Sequence, residues 1–146
     1  MAGSAIQLEV SDGDLAAVFA QLMGPQLDIA VRDVAEFGLN RIDDHFREER
    51  DAQGRPFQPL KRRTVRRKQR LGKILKILQQ DGDLRRSIIY RIDSEGIIWG
   101  TNRIYAATQF LGDELRNIPA RNPLDFSDAD LQEMGELVRD RLTNRF

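Results

Sequence analysis

The sequence has no cysteine and only one histidine and one tryptophan among its 146 residues. Without cysteine the chain has no disulfide framework, no thiolate zinc ligand and no cysteine nucleophile. The lone histidine, His45, has no accompanying histidine, cysteine or spaced carboxylate cluster, so it is read as an ordinary helix-edge side chain and not as an acid, a base or a ligand. We therefore expect no cofactor, no metal ion and no enzymatic activity.

Long apolar runs are also missing. No stretch approaches the ~18 consecutive apolar residues of a membrane span, and Met1 to Ala5 carry neither the charged nor the apolar region of a signal peptide. We expect a soluble protein that has no membrane partner and is not exported by the usual signal. The length fits one domain over residues 1–146.

Acidic residues are absent from residues 55–76, although the whole chain balances 23 basic against 23 acidic residues. The ten cations of this segment are Arg55, Lys61, Arg62, Arg63, Arg66, Arg67, Lys68, Arg70, Lys73 and Lys76. The rest of the chain keeps 13 basic residues against 23 acidic ones, so it carries a charge of −10. The sequence thus predicts a basic arm, at about residues 51–76, on an acidic body.

Helical periodicity is strongest between Gln26 and about Arg50, where apolar residues recur every three or four positions. This predicts a long helix of roughly six or seven turns. Gly38 lies on the apolar stripe, where glycine costs about 1 kcal/mol relative to alanine, so it indicates a close approach to another element. Ser127 and Asp130 form an acidic variant of the capping box and predict the start of a last helix.

Alternating apolar residues indicate a small sheet. The sequence predicts a strand over residues 6–10 and a hairpin whose first strand presents Ile88, Tyr90 and Ile92 and whose second presents Ile97 and Trp99. Residues 15–22 and 103–110 predict two short helices. The expected fold class is α+β: about three antiparallel strands packed on the long helix, with a C-terminal helix and an extended basic arm.

The arm itself has no clear periodicity. Gly54, Pro56 and Pro59 favour an irregular connection, and a short helix capped by Thr64 is possible over residues 64–72. Its positive charges would lie on every face and repel one another, so we expect the arm to be mobile in the isolated chain.

Eleven residues are candidates for contacts with a partner or with DNA. They are Lys61, Arg62, Arg63, Arg66, Arg67, Lys68, Arg70, Lys73, Tyr105, Gln109 and Arg121. Tyr105 and Gln109 are four residues apart and share one helix face. Arg121 lies between two prolines on a stiff segment, so we expect it to form an ion pair with another subunit.

Of three classes of function, a joining protein fits these residues best, a nucleic-acid-binding module fits less well and a hydrolase fits least. A joining protein would lay the arm on an acidic neighbour, whereas a nucleic-acid-binding module would lay it on phosphates and show a strong salt dependence. The arm lacks the interleaved aromatics of a stacking platform. A hydrolase is disfavoured because neighbouring carboxylates such as Asp43 and Asp44 point apart on a helix and Ser87 has no nucleophile elbow.

The central part of the chain resembles the phage virion morphogenesis family, which includes Mu-like morphogenesis proteins and P2-type tail completion proteins. The matching pieces are, in order, Gly54-x-x-Phe57-x-Pro59-Leu60, Thr64, Arg67-Lys68, Gly72, Ile74-Leu75, Gly82-x-Leu84-Arg85-x-Ser87-Ile88, Gly100-Thr101-Asn102, Tyr105-Ala106-Ala107, Gln109-Phe110 and Ile118-Pro119-Ala120-Arg121. The similarity covers about residues 54–142.

The resemblance implies a structural phage protein that acts at the head–tail junction or at the tail end, in a tail completion, neck or terminator role. It implies a homo-oligomeric ring, six-fold or twelve-fold, that contacts other neck, connector and tail proteins. The genomic DNA in the channel is a further possible contact. The implied location is the virion, after assembly in the host cytoplasm.

Overall fold

The structure is a computed structural model that describes residues 6–8 and 24–143. Its elements, in chain order, are β1 (Ile6–Leu8), α1 (Gly24–Glu48), α2 (Arg62–Arg70), α3 (Asp83–Arg86), β2 (Ile89–Asp93), β3 (Gly96–Gly100), α4 (Ala106–Leu111) and α5 (Asp128–Thr143). The short helix predicted over residues 15–22 and the end of the strand predicted over residues 6–10 lie outside the described residues. The mixed class of helix and sheet is confirmed.

The core forms where α1 meets the sheet. Trp99 on β3 is fully buried, and its indole Nε1 donates a hydrogen bond of 2.9 Å to the carbonyl oxygen of Ala35. A Cβ atom placed on Gly38 would lie 2.5 Å from the Trp99 ring, which confirms that this glycine marks a close approach. Phe126 packs edge-on against Trp99, with ring centroids 5.0 Å apart.

The sheet is antiparallel, in the order β1-β3-β2. Tyr90 on β2 and Ile6 on β1 are both paired with Trp99 on the central strand β3. The hairpin turn is closed by Asp93, whose carboxylate accepts the backbone N–H groups of Glu95 and Gly96. Of the first strand's predicted inward residues, Ile88 is buried just before β2 begins, while Ile92 is 39% exposed on β2.

Helix α5 lies along α1 and begins with the predicted capping box. The Ser127 hydroxyl accepts the Asp130 backbone N–H at 3.1 Å, and the Asp130 carboxylate accepts the Ser127 backbone N–H at 3.1 Å. Asp130 also accepts a hydrogen bond of 2.8 Å from Arg41 of α1. Near the other end of α5, Arg141 bonds to Asp33 of α1 at 2.8 Å, so the two helices run antiparallel.

Two local predictions are wrong. A helix does form in the arm, as α2 over Arg62–Arg70, but the residue before it is Lys61, so Thr64 does not cap it. Its one buried side chain, Lys68, donates hydrogen bonds to the carbonyl oxygens of Lys76 and Gln79, which offset part of the repulsion among its charges. Helix α4 begins at Ala106, not after Asn102, and Thr101 instead accepts the Arg103 backbone N–H.

Within the part of the chain that the structure describes, no helix is both long enough and apolar enough to cross a membrane.

Candidate interaction surface

Both ends of the basic arm (residues 51–76) are tied to Glu49, which follows α1. Glu49 adopts a left-handed backbone conformation with φ 55°. Its carbonyl oxygen accepts the backbone N–H of Phe57 at 2.8 Å, and its carboxylate accepts the backbone N–H of Ile77 at 2.6 Å. Phe57 and Ile77 are 7% and 9% exposed. The arm is therefore a loop that leaves and rejoins the body at two buried apolar anchors.

Between these anchors one side chain faces inward. Lys68 is 5% exposed, and no other residue from 58 to 76 is buried. Its ammonium donates hydrogen bonds to the carbonyl oxygens of Lys76, at 2.9 Å, and Gln79, at 3.2 Å. Burial, reinforced by the positive charges of Arg67 and Arg121, lowers the pKa of Lys68 below its usual range. This corrects the prediction that Lys68 faces a partner.

The opposite face of α2 is a surface of arginine. Arg62, Arg66 and Arg70 follow one another at intervals of four residues, and Arg63 and Arg67 lie beside them. All five are exposed, and none forms an ion pair within the described residues. We call Arg62, Arg66 and Arg70 the arginine stripe.

A cleft of about 660 Å³ separates α2 from α4 and from the segment around Ile118. Six predicted interaction residues line it: Lys61, Arg67, Lys68, Tyr105, Gln109 and Arg121. Arg116 adds a further cation, whereas Asp81 and Asp83 are the carboxylates in the lining. Lys61 reaches from the arm to the carbonyl oxygen of Asn117, at 3.1 Å. The cleft is thus predominantly cationic.

Arg121 is used within its own chain. It is 7% exposed, and its guanidinium donates to the carbonyl oxygens of Gln58, at 2.8 Å, and Pro59, at 3.2 Å. Burial lowers the pKa of Arg121, but a guanidinium remains charged at neutral pH. Within the chain the extended backbone before α2 supplies the acceptors of Arg121, and the ion pair expected with another subunit stays a prediction.

The other predicted interaction residues differ in their exposure to solvent. Tyr105 is 48% exposed, and Gln109 is partly buried. Lys73 is engaged on the surface, where its ammonium lies 2.7 Å from the Asp81 carboxylate. The structure therefore separates the candidates: Arg62, Arg63, Arg66 and Arg70 are exposed and do not line the cleft, Arg67 lines it, and Lys68 and Arg121 bond within the chain.

Sequence reasoning missed two residues that position the arm. One is Glu49, and the other is Gln79, which is 5% exposed and donates to the carbonyl oxygen of Phe46 at 3.0 Å. Neither belongs to a motif. The acids Asp81 and Asp83 were visible in the sequence, but nothing there indicated that they border the cleft.

The remaining polar groups of the described segments include no cluster that could hold a metal ion. No three histidine, cysteine, aspartate or glutamate side chains converge there. His45 is buried, not at a helix edge, and its Nδ1 lies 2.8 Å from the carbonyl oxygen of Pro123, to which it donates.

Comparison with curated proteins finds no match, and comparison with solved structures finds none either. The phage virion morphogenesis family, in contrast, matches residues 13–143, which include the basic arm, the cleft and α5. By this match the chain belongs to the phage virion morphogenesis family.

Proposed function

We propose that this chain is a non-enzymatic, ring-forming subunit that acts in tail completion at the head–tail junction or the tail end of the virion. Its partners in this proposal are further copies of itself and other neck, connector and tail proteins. Family membership supports a structural role in phage assembly. The specific role rests on one observation, the arginine surface of α2.

This surface has no function in stabilising the isolated chain. Like charges four residues apart on a helix destabilise it by about 0.2–0.5 kcal/mol per pair, and the arginine stripe contains two such pairs. The inward contacts of Lys68 and Arg121 hold α2 in place, so the arginines are displayed on an ordered helix. Ordered guanidinium groups can pair with carboxylates of a partner with little further loss of chain entropy.

A direct test replaces four outward arginines together, as Arg62→Gln, Arg63→Gln, Arg66→Gln and Arg70→Gln. We expect the variant to fold but to join heads to tails at least ten-fold less efficiently when it replaces the wild-type protein in an assembly assay. Arg32→Gln with Arg103→Gln is a control for the loss of positive charge elsewhere, because both residues are exposed and lie outside the arm. Normal joining by the arm variant would remove the arm from this role.

DNA binding is the second candidate, because the same five arginines can contact phosphates. Binding through all five would make the logarithm of the affinity fall with the logarithm of salt concentration with a slope of about −4.5. Tight binding to duplex DNA at physiological salt with such a slope would favour this candidate. Weak, sequence-independent binding that disappears at physiological salt would favour a protein partner.

A further inference from the structure

A second surface of this chain complements the arginine stripe. Glu133, Glu136 and Asp140 lie on the solvent face of α5, opposite the buried Met134. None of the three forms an ion pair with another described residue, and Glu136 accepts only a long hydrogen bond of 3.3 Å from Gln132. We call these three residues the carboxylate stripe.

The two stripes have similar lengths. From Arg62 to Arg70 there are eight residues, and at 1.5 Å per residue the arginine stripe is about 12 Å long. From Glu133 to Asp140 there are seven residues, which gives about 10.5 Å. Each stripe offers three charges at intervals of one helical turn, so two helices lying side by side can form three ion pairs in register.

The two stripes form no ion pair with each other within the described residues of one chain, and they are attached at different positions along α1. The arm is fastened to the end of α1, where Lys76 donates to the carbonyl oxygen of Arg47 at 2.7 Å. The C-terminal part of α5 is fastened at Asp33 through Arg141. These positions are fourteen residues apart, or about 21 Å along the helix, and α5 runs away from the arm.

We propose that the arginine stripe of one copy binds the carboxylate stripe of a second copy. This inference rests on the proposed function and names the contact that would build the ring. A second copy fits better than an unrelated acidic protein, because the ten cations of the arm are balanced by the charge of −10 on the rest of the same chain. Leu71, Ile74 and Leu75, which are 55%, 42% and 48% exposed just beyond α2, would help to exclude water from these pairs.

The contact joins two different patches, so it is heterologous. After two copies bind, the pair keeps one unused carboxylate stripe on one copy and one unused arginine stripe on the other. Such head-to-tail contacts continue until they close into a ring, or they form an open filament if the rotation does not close.

The test reverses each stripe separately in the full chain. Variant A carries Arg62→Glu, Arg66→Glu and Arg70→Glu, and variant B carries Glu133→Lys, Glu136→Lys and Asp140→Lys. The mass of each protein in solution is measured over a range of concentrations, with circular dichroism to establish that it is folded. Alone, each variant opposes like charges and should self-associate at least ten-fold more weakly than the wild type.

The mixture of both variants gives the decisive result. Each contact in a mixed oligomer pairs opposite charges, so an equimolar mixture should recover oligomers in which A and B alternate. A control variant with Arg32→Glu, Arg91→Glu and Arg103→Glu changes the charge equally at exposed sites outside the arm and should associate as the wild type does.

The outcomes separate the two proposals. If the wild type forms oligomers and A or B associates equally well, or if both are monomeric and their mixture stays monomeric, the stripe contact is wrong and the ring proposal stands. If the wild type remains a monomer at every concentration, both alone and with its neighbouring virion components, the ring proposal itself fails.

Discussion

The body of the protein and its basic arm are held in different ways. In the body, α1, α5 and the sheet enclose apolar side chains such as Trp99, Ile42 and Met134. In the arm, residues 58–76 bury a single side chain, the ammonium-bearing Lys68, and are fixed by hydrogen bonds to backbone carbonyl oxygens. The body is therefore stabilised by apolar burial, and the arm is positioned by a few directional polar contacts.

The two faces of α2 also differ in whether their side chains have partners within the chain. Its inward face is satisfied within the chain, so an external partner is not needed to position the arm. Its outward face, with the arginine stripe, has no counterpart among the described residues. Only the outward arginines of the arm therefore support an assembly role. Substitutions on the inward and outward faces should then have different effects.

The largest effect is expected in the body, for Trp99→Ala. The variant loses a fully buried indole, its hydrogen bond to Ala35 and its contact with Phe126, and it leaves a cavity above Gly38. Removing a buried aromatic residue lowers the free energy of unfolding by about 3–5 kcal/mol. Urea unfolding measures this loss, and Leu115→Ala is the control, since Leu115 is 99% exposed. A loss below about 1 kcal/mol would contradict a core centred on this residue.

Arg121→Met should affect the arm more than the body. The substitution keeps an apolar stem but removes the hydrogen bonds to Gln58 and Pro59. Hydrogen bonds to charged groups contribute about 1.5–3 kcal/mol, so we expect a loss of about 2–3 kcal/mol in the stability of the arm's attachment. Hydrogen exchange should speed up at the Phe57 amide and remain slow on β3. Arg103→Met, at an exposed position, serves as the control.

The body could be predicted from the sequence better than the arm, because the two regions are stabilised in different ways. Apolar burial leaves a periodic record in the sequence, so the α1 stripe, the inward pair Ile97 and Trp99 and the close approach at Gly38 were all predictable. The capping box of Ser127 and Asp130 is local in sequence and was predictable as well.

The attachment of the arm was not predictable, because its acceptors are backbone carbonyl oxygens that every residue possesses. Nothing in the sequence distinguishes Gln58 or Gln79 as the residue whose carbonyl receives Arg121 or Lys68. No sequence signal predicts the left-handed conformation of Glu49 either. A basic run could therefore be identified as a candidate site, whereas the division between its inward and outward cations required the structure.

Acid should weaken the junction between arm and body through Asp43 on α1. Its carboxylate receives two hydrogen bonds from Arg85, which also contacts Gln79, three residues after the arm. The hydrogen bond from Arg85 lowers the pKa of Asp43 below its ordinary value, despite an opposing effect of burial. The stabilisation is therefore complete above the unfolded-state value of about 3.9 and is lost as the pH falls through the lower folded-state pKa.

Asp43→Asn isolates this contribution. Because the pair is partly exposed, we expect the variant to lose only about 0.5–1 kcal/mol of stability at pH 6. The difference between wild type and variant should shrink as the pH falls below about 4, as followed by urea unfolding. A difference that stays constant down to pH 2 would show that the ionised carboxylate is not what stabilises the junction.

The smallest effect on stability is expected for Arg66→Ala, in the centre of the arginine stripe. Alanine favours the helix and removes two repulsive pairs, with Arg62 and with Arg70, so stability should stay the same or rise by up to about 1 kcal/mol. Lys68→Ala, two residues away on the inward face, should instead destabilise the arm, since it removes the ammonium donor to the carbonyl oxygen of Gln79 and leaves that of Lys76 with only the backbone N–H of Gln79, at 3.3 Å. Thermal unfolding and self-association of both variants are compared. A clear loss of stability for Arg66→Ala would mean that the outward face also has a partner within the chain. The arginine stripe would then stabilise the chain itself and would not be a surface for assembly.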